Sequence, residues 1–172
     1  GTAGTAAIPT INVKNFLFTN NIVESNLASG TAFLHFTESA NSYTHNFKVI
    51  DNKFKTTNAE TTLAHVIYID NNAGLTVTGN VFKDVKNGAF KLNDTTKGLA
   101  GNTLFANNEF TNVGADAINI GWLSALPGTT MEVEVKLNTF TNIGGIAIYF
   151  GKMNNVDIID KMDIVENTFT GV

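Results

Sequence analysis

The sequence predicts an all-β fold, a parallel β-helix (solenoid) of about six coils, and three observations support this prediction. A short phrase recurs along the chain, with an apolar residue, an asparagine three positions later and a second apolar residue, most often phenylalanine, two positions further on. Its copies follow one another at intervals of 28 to 31 residues, which is typical of a repeat architecture. Within each copy apolar and polar residues alternate, as in a half-buried strand. The asparagines of the phrase are Asn21, Asn52, Asn80, Asn108, Asn138 and Asn167.

The alternation assigns the side chains of each copy to two faces. In the fifth copy Val133, Val135 and Phe140 fall on one face, whereas Glu134 and Thr139 fall on the other. The strands are rich in Val, Ile, Phe and Thr, which suit a pleated surface. No stretch shows a sustained apolar period of 3.6 residues, so we expect little helix.

A further strand follows each phrase at a fixed offset. Residues 85–92, 113–120 and 143–150 align without gaps, and each has an alanine nine residues after the ladder asparagine. Residues 66–69 and 33–36 are the equivalent strands of earlier coils. Each repeat therefore has two or three short strands that cannot bury an apolar face alone. Stacked coils can, because each strand pairs with the coil below at a spacing of about 4.8 Å.

Stacking brings the asparagines of the phrase into one column and the phenylalanines into another. An amide both donates and accepts, so we expect each asparagine to bond its neighbours above and below in an internal ladder. Asparagine also tolerates the left-handed backbone of a tight turn, and we assign that conformation to the ladder residues. The phenylalanines point inward and stack ring on ring. Both columns are thus interpreted as structural.

The Asn-x-Phe phrase followed by Ala-Ile-x-Ile, as at 117–120, resembles the right-handed single-stranded parallel β-helix of the pectate-lyase-like superfamily. Within that superfamily the repeat motif is similar to those of chondroitinase-B-like lyases and to the β-helix repeats of bacterial surface proteins. The resemblance covers nearly the whole chain. It is specific for the fold and not for one activity.

The domain prediction is a lead-in or linker at 1–10 and one parallel β-helix domain at 11–172. The last phrase is as apolar on its inward face as an interior one, with Ile164 and Phe169 left without a covering coil. Natural solenoids cover such an end with a cap. We therefore expect a segment of a longer solenoid, or an end coil that docks onto another chain.

Composition excludes several classes of function. The 172 residues contain no Cys and no Arg, and the net charge is −4. A nucleic-acid partner or an anionic lipid surface would favour a basic face. The lack of Cys excludes disulfides and thiolate metal sites. No apolar run is long enough for a membrane span. These features suit an extracellular or cell-surface location in a bacterium, which is our expectation.

One surface column is the candidate binding site. If Ile118 and Ile120 face the core, Asn119 faces outward, and the same frame places one residue of each coil beside it. Aromatic faces stack on sugar rings and amides bind hydroxyl groups, so this column suits a polysaccharide. An ordinary solvated sheet face is the alternative. The outward column consists of His35, Tyr68, Lys91, Asn119 and Tyr149; our predicted carbohydrate-binding residues are Tyr68, Lys91, Asn119, Tyr149 and Trp122.

Catalysis has weaker support. The resemblance to chondroitinase-B-like lyases implies a lysine base, an arginine acid and calcium held by Asn and acidic side chains. Lys91 is the one candidate catalytic base, and the chain has no Arg for the other role. Calcium is expected only under this alternative, and we predict no other cofactor or metal. The three histidines, His35, His45 and His65, are interpreted as surface or turn residues. We find no carboxylate cluster of the kind glycoside hydrolysis needs.

The leading hypothesis is a non-catalytic extracellular β-solenoid module of the surface or adhesin type that recognises polysaccharide. The first alternative is a polysaccharide lyase, or a fragment of one, acting on glycans that contain uronic acid. The second is a structural spacer of a cell-surface layer or fibre. Whether the loops 93–102, 121–132 and 151–161 form a site is left open.

Overall fold

Three parallel β-sheets make up the fold of the described chain. The computed structural model describes residues 8–10, 15–26, 32–36, 44–56, 64–69, 72–92, 100–124, 131–154 and 159–172, and every regular element within these ranges is a strand. The first sheet contains β1 (Ile8–Thr10), β4 (Ala32–Phe36), β7 (His65–Ile69), β10 (Gly88–Leu92), β13 (Ile118–Ser124) and β16 (Ile148–Asn154). The second contains β2 (Leu17–Thr19), β5 (Thr44–Ile50), β8 (Asn72–Thr78), β11 (Ala100–Ala106), β14 (Met131–Lys136) and β17 (Ile159–Val165). The third contains β3 (Ile22–Ser25), β6 (Lys53–Thr56), β9 (Val81–Val85), β12 (Glu109–Val113), β15 (Thr139–Ile143) and β18 (Thr168–Thr170).

Each coil contributes one strand to each sheet, and every strand pairs in parallel with the equivalent strand of the next coil. Phe110, for example, pairs with Phe82 below and Phe140 above. The predicted all-β parallel solenoid is confirmed. Its coil count differs from the predicted six, because about four turns are enclosed and the first and last coils are covered on one side only.

The strand boundaries refine the sequence-based assignment. Ile8–Thr10, placed by the sequence in the lead-in, pairs with β4 as the first strand of the first sheet. The strands β13 and β16 continue to Ser124 and Asn154, so the starts of the proposed loops 121–132 and 151–161 are strand. Likewise β11 begins at Ala100, inside the proposed loop 93–102. The remainder of those loops lies largely outside the described residues.

The core is formed by the inward face of all three sheets. In β14, residues Met131, Val133 and Val135 are buried while Glu132 is exposed, as the alternation predicts. The phenylalanine column of the third sheet is stacked, with ring centroids 4.9 to 5.0 Å apart and interplanar angles of 3 to 13°. The rings of this column are Phe54, Phe82, Phe110, Phe140 and Phe169.

The asparagine ladder is also confirmed, and its hydrogen bonds have a direction. The backbone N–H and the Nδ2 of Asn108 both donate to Oδ1 of Asn138, at 3.0 and 2.9 Å. The Nδ2 of Asn108 donates as well to the carbonyl of Val77 at 2.8 Å. The same forward donation links each ladder residue to the next, from Asn21 through to Asn167. The ladder therefore satisfies polar groups along the corner between the second and third sheets.

The assignment of the left-handed backbone to the ladder asparagines is wrong. The residue just before each ladder position has the positive φ, between 55 and 68°. Wherever this residue has a side chain, the residue is exposed, whereas the asparagine that follows it directs its amide into the ladder. The left-handed residues are Asn20, Asp51, Gly79, Asn107, Leu137 and Glu166.

A second left-handed position lies at the end of the third sheet, and the sequence analysis did not find it. Asp84, Asn112 and Asn142 have φ values of 53 to 54°. Their side chains form an outer chain of hydrogen bonds: Asn112 Nδ2 donates to Asp84 Oδ1 at 2.8 Å, and Asn142 Nδ2 to Asn112 Oδ1 at 3.0 Å. A second polar column on the surface therefore marks the turn into the first sheet.

Candidate functional site: a surface column on the first sheet

The predicted outward column exists as a column of register partners. His35 pairs with Tyr68, Tyr68 with Lys91, Lys91 with Asn119, and Asn119 with Tyr149. The flanking residues of each strand point into the core, which forces these five side chains to the outer face. The first four are half-buried and Tyr149 is 38% exposed. Their placement is confirmed, and their role in carbohydrate binding stays a prediction.

The upstream end of the column is an aromatic cluster around Tyr68. The rings of His35 and Tyr68 meet edge to face with their centroids 4.8 Å apart. The Nζ of Lys91 lies 5.7 Å from the centroid of the Tyr68 ring, within the range of a cation–π contact. These contacts orient the phenol ring between its two neighbours in the column.

Downstream of Lys91, an acidic residue holds the amide of the column in place. The Nδ2 of Asn119 donates to Oδ2 of Asp116 at 2.7 Å, and the backbone N–H of Ile146 donates to Oδ1 of Asp116 at 2.9 Å. Both carboxylate oxygens are thus engaged. The Oδ1 of Asn119 is buried and accepts no hydrogen bond from a described residue. The hydrogen bond to Asp116 therefore fixes the orientation of the Asn119 amide, and the amide oxygen has no donor among the described residues.

His65 lies beside the column, where it is half-buried at the start of a strand and not in a turn. It lies in β7, opposite Gly88 in the neighbouring strand, and its ring centroid is 6.0 Å from that of Tyr68. A Cβ at position 88 would come within 2.5 Å of the imidazole, so glycine leaves the space that the ring fills. Burial, reinforced by the positive charge of Lys91 and opposed by Asp116, lowers the pKa of His65 from 6.5 to about 4. The imidazole is therefore neutral at neutral pH.

The sequence analysis missed His65 and Asp116 as members of this site. Their common signal is position, because each lies three residues before a member of the outward column in its own coil, Tyr68 and Asn119. That offset places His65 at the first residue of β7 and Asp116 two residues before β13, next to the column. His45 and Trp122 have side chains outside the described part of the chain, although the backbone of Trp122 pairs with that of Lys152.

The electrostatics of the column centre on Lys91. It forms no ion pair with any residue that the structure describes, whereas the ion pairs of the second sheet join Lys136 and Lys161 to Glu134. The described residues contain no group of three His, Asp or Glu side chains arranged to hold a metal ion. Lys91 is thus a cation without a carboxylate partner in the described chain, at the centre of an aromatic and amide surface.

The described residues also contain no helix of the length and apolar character needed to cross a membrane. In comparisons with known proteins, no family model, no curated protein and no solved structure matches the chain. The sheet topology defines the class of protein as a parallel β-solenoid. One of its three faces has a half-buried column of aromatic and polar residues.

Proposed function

We propose that this solenoid is a non-catalytic extracellular module of the pectate-lyase-like type, exposed on a cell surface, that binds a polysaccharide along its first sheet. One observation carries the proposal: successive coils place Tyr68, Lys91, Asn119 and Tyr149 in a single register column. The residues of the column are about 4.8 Å apart along the solenoid. A linear array of this kind suits a linear polymer better than a compact ligand.

The chemistry of the column suits sugars. The Tyr149 ring is accessible and offers an apolar face for a pyranose ring. Lys91 lacks a carboxylate partner among the described residues, so a carboxylate or sulfate group of an acidic glycan is its natural ligand. We therefore expect acidic polysaccharides to bind better than neutral ones.

Binding is measured on a glycan array and by calorimetry with pectate, alginate and glycosaminoglycans. Lys91→Ala and Tyr149→Ala should weaken binding, and each should change stability by no more than about 0.5 kcal/mol, as at other surface sites. Lys83→Ala is the matched control, because Lys83 is an exposed lysine on the third sheet. The absence of any glycan ligand for the unmodified protein would reject this function and favour the structural spacer.

A polysaccharide lyase is the second candidate, and the surroundings of Lys91 favour it to a limited extent. Lys91 lies near the Tyr68 ring and a neutral histidine, and it is the one lysine of the column, so it is the residue that would take the role of the base. Against it, both oxygens of Asp116 are committed to the protein, and the chain has no Arg. We expect no ultraviolet-absorbing product from pectate, alginate or glycosaminoglycan, with or without calcium. A product signal that Lys91→Ala removes would establish the lyase instead.

A further inference from the structure

Two members of the outward column are suited to contact a glycan directly, and one residue separates them. Lys91 has no carboxylate partner among the described residues, whose ion pairs lie on the second sheet. Tyr149 is the most exposed of the five residues of the column. Lys91 pairs with Asn119, and Asn119 pairs with Tyr149. Two strand spacings, about 9.6 Å in total, therefore separate the cation from the accessible ring.

The residue between them is bonded to the protein itself. The Nδ2 of Asn119 donates to Oδ2 of Asp116 at 2.7 Å, and the Oδ1 of Asn119 is buried. A buried oxygen cannot meet a ligand, and the nitrogen already has a charged acceptor. The middle position of the three therefore contributes little to recognition.

On the other side of Lys91, the ring of Tyr68 also has protein contacts. It meets the ring of His35 edge to face, with the centroids 4.8 Å apart. The Nζ of Lys91 lies 5.7 Å from the Tyr68 centroid, as in a cation–π contact. Tyr68 therefore supports the ammonium group, and Tyr149 is the ring that remains for stacking on a sugar.

This arrangement, in which alternate coils recognise the ligand, has a counterpart in the chemistry of sugar chains. One unit of an extended β-1,4-linked pyranose chain is about as long as the spacing between coils. Successive units are turned by half a revolution, so every second unit presents the same side to a surface. A chain that lies along the column then directs one unit to Lys91 and the next but one to Tyr149. The turned unit between them faces Asn119, where little recognition is available.

We propose that the column selects an extended, β-1,4-linked acidic polysaccharide whose axis follows the solenoid and which the protein contacts at every second sugar unit. This specificity rests on the proposed glycan-binding function. One unit places its carboxylate at the ammonium of Lys91, and the unit two positions along stacks on Tyr149. The shortest ligand that makes both contacts is a trisaccharide.

Oligosaccharides of β-1,4-linked mannuronate test this specificity by calorimetry at neutral pH. The trisaccharide should bind roughly tenfold more tightly than the disaccharide, the effect of one added contact of moderate strength. The methyl-esterified trisaccharide has the same length without the charge, and it should lose that gain. Trigalacturonide is the linkage control, because its axial α-1,4 links shorten each unit, and it should bind more weakly than trimannuronide.

Variants assign the two contacts to their residues. Lys91→Ala and Tyr149→Ala should each abolish the difference between tri- and dimannuronide, since either change leaves one contact. Lys83→Ala, an exposed lysine on the third sheet, should retain the difference. Circular dichroism establishes that each variant is folded.

Two results would overturn the selectivity and leave the proposed glycan-binding function standing, provided that alginate still binds. The first is equal affinity for di- and trimannuronide, and the second is trigalacturonide that binds at least as tightly as trimannuronide. If the unmodified protein binds no polysaccharide at all, the proposed function is rejected and this specificity is rejected with it.

Discussion

At the scale of the residue, the turn between the second and third sheets shows how one backbone position limits the choice of side chain. The position before each ladder asparagine has a positive φ, and Asn, Asp or Gly occupies it in the first four coils. In the fifth coil it is Leu137, with a φ of 57° and 47% of its side chain exposed. A left-handed conformation costs an ordinary L-residue about 1–2 kcal/mol, which Asn avoids in part. Leu137 is thus a strained residue with little compensating burial.

Leu137→Asn should therefore stabilise the protein, by up to about 1 kcal/mol, because it relieves that backbone strain. The reverse change one coil earlier, Asn107→Leu, is the matched control and should destabilise by a similar amount. Chemical denaturation measures both free energies of unfolding. If the two substitutions shift stability in the same direction, the backbone conformation does not determine the preference at this turn.

His65 makes the free energy of unfolding depend on pH. Burial is the main cause that lowers its pKa to about 4 from an ordinary value of 6.5, so between these values the unfolded chain binds the proton more strongly. Stability should accordingly be complete above pH 6.5 and fall as the pH drops toward 4, with a contribution of at most about 1.4 kcal/mol per pH unit. The measurement is unfolding free energy against pH for the natural protein and for His65→Asn. Their difference isolates this residue, and equal slopes for the two proteins would show that His65 is not the cause.

At the scale of the element, the ladder links coils through buried amides. Replacing Asn108 by Ala leaves the N–H of Asn80 and the carbonyl of Val77 without their partner in the dry corner. Each buried unpaired group costs about 1–3 kcal/mol, so Asn108→Ala should destabilise clearly. Asn167→Ala should cost less, because water reaches the end coil. Melting midpoints test the difference, and small equal shifts at both sites would argue against a stabilising ladder.

The regular parts of the elements could be predicted from the sequence, because their cause is periodic. Alternating burial and the recurring Asn-x-Phe phrase both follow from stacking, so they repeat in the sequence wherever they repeat in space. The left-handed position could not be assigned, since Asn107 and Asn108 are adjacent asparagines and either suits a turn. The sequence analysis missed His65 and Asp116 because they do not recur from coil to coil. Each occurs in a single coil, so no period marks it, although each lies three residues before Tyr68 or Asn119 in its own coil.

At the scale of the whole molecule, the solenoid is a one-dimensional stack in which each coil contacts only its neighbours. Stability of such a protein is close to a sum of coil terms and interface terms, so the end coils have one interface fewer than the others. The contrast is visible in the ladder: Asn52, Asn80, Asn108 and Asn138 are buried, whereas the two terminal members are half-exposed. The last coil is therefore expected to open before the interior ones.

Amide hydrogen exchange should reveal this gradient in the 172-residue chain. In the third sheet, the amides of the interior strands β9, β12 and β15 should exchange slowest. Those of β18 should exchange faster, because a strand at the edge of the sheet opens by breaking one interface instead of two. If β18 is as protected as β12 in dilute solution, then the stack is one cooperative unit and the one-dimensional description does not apply to it.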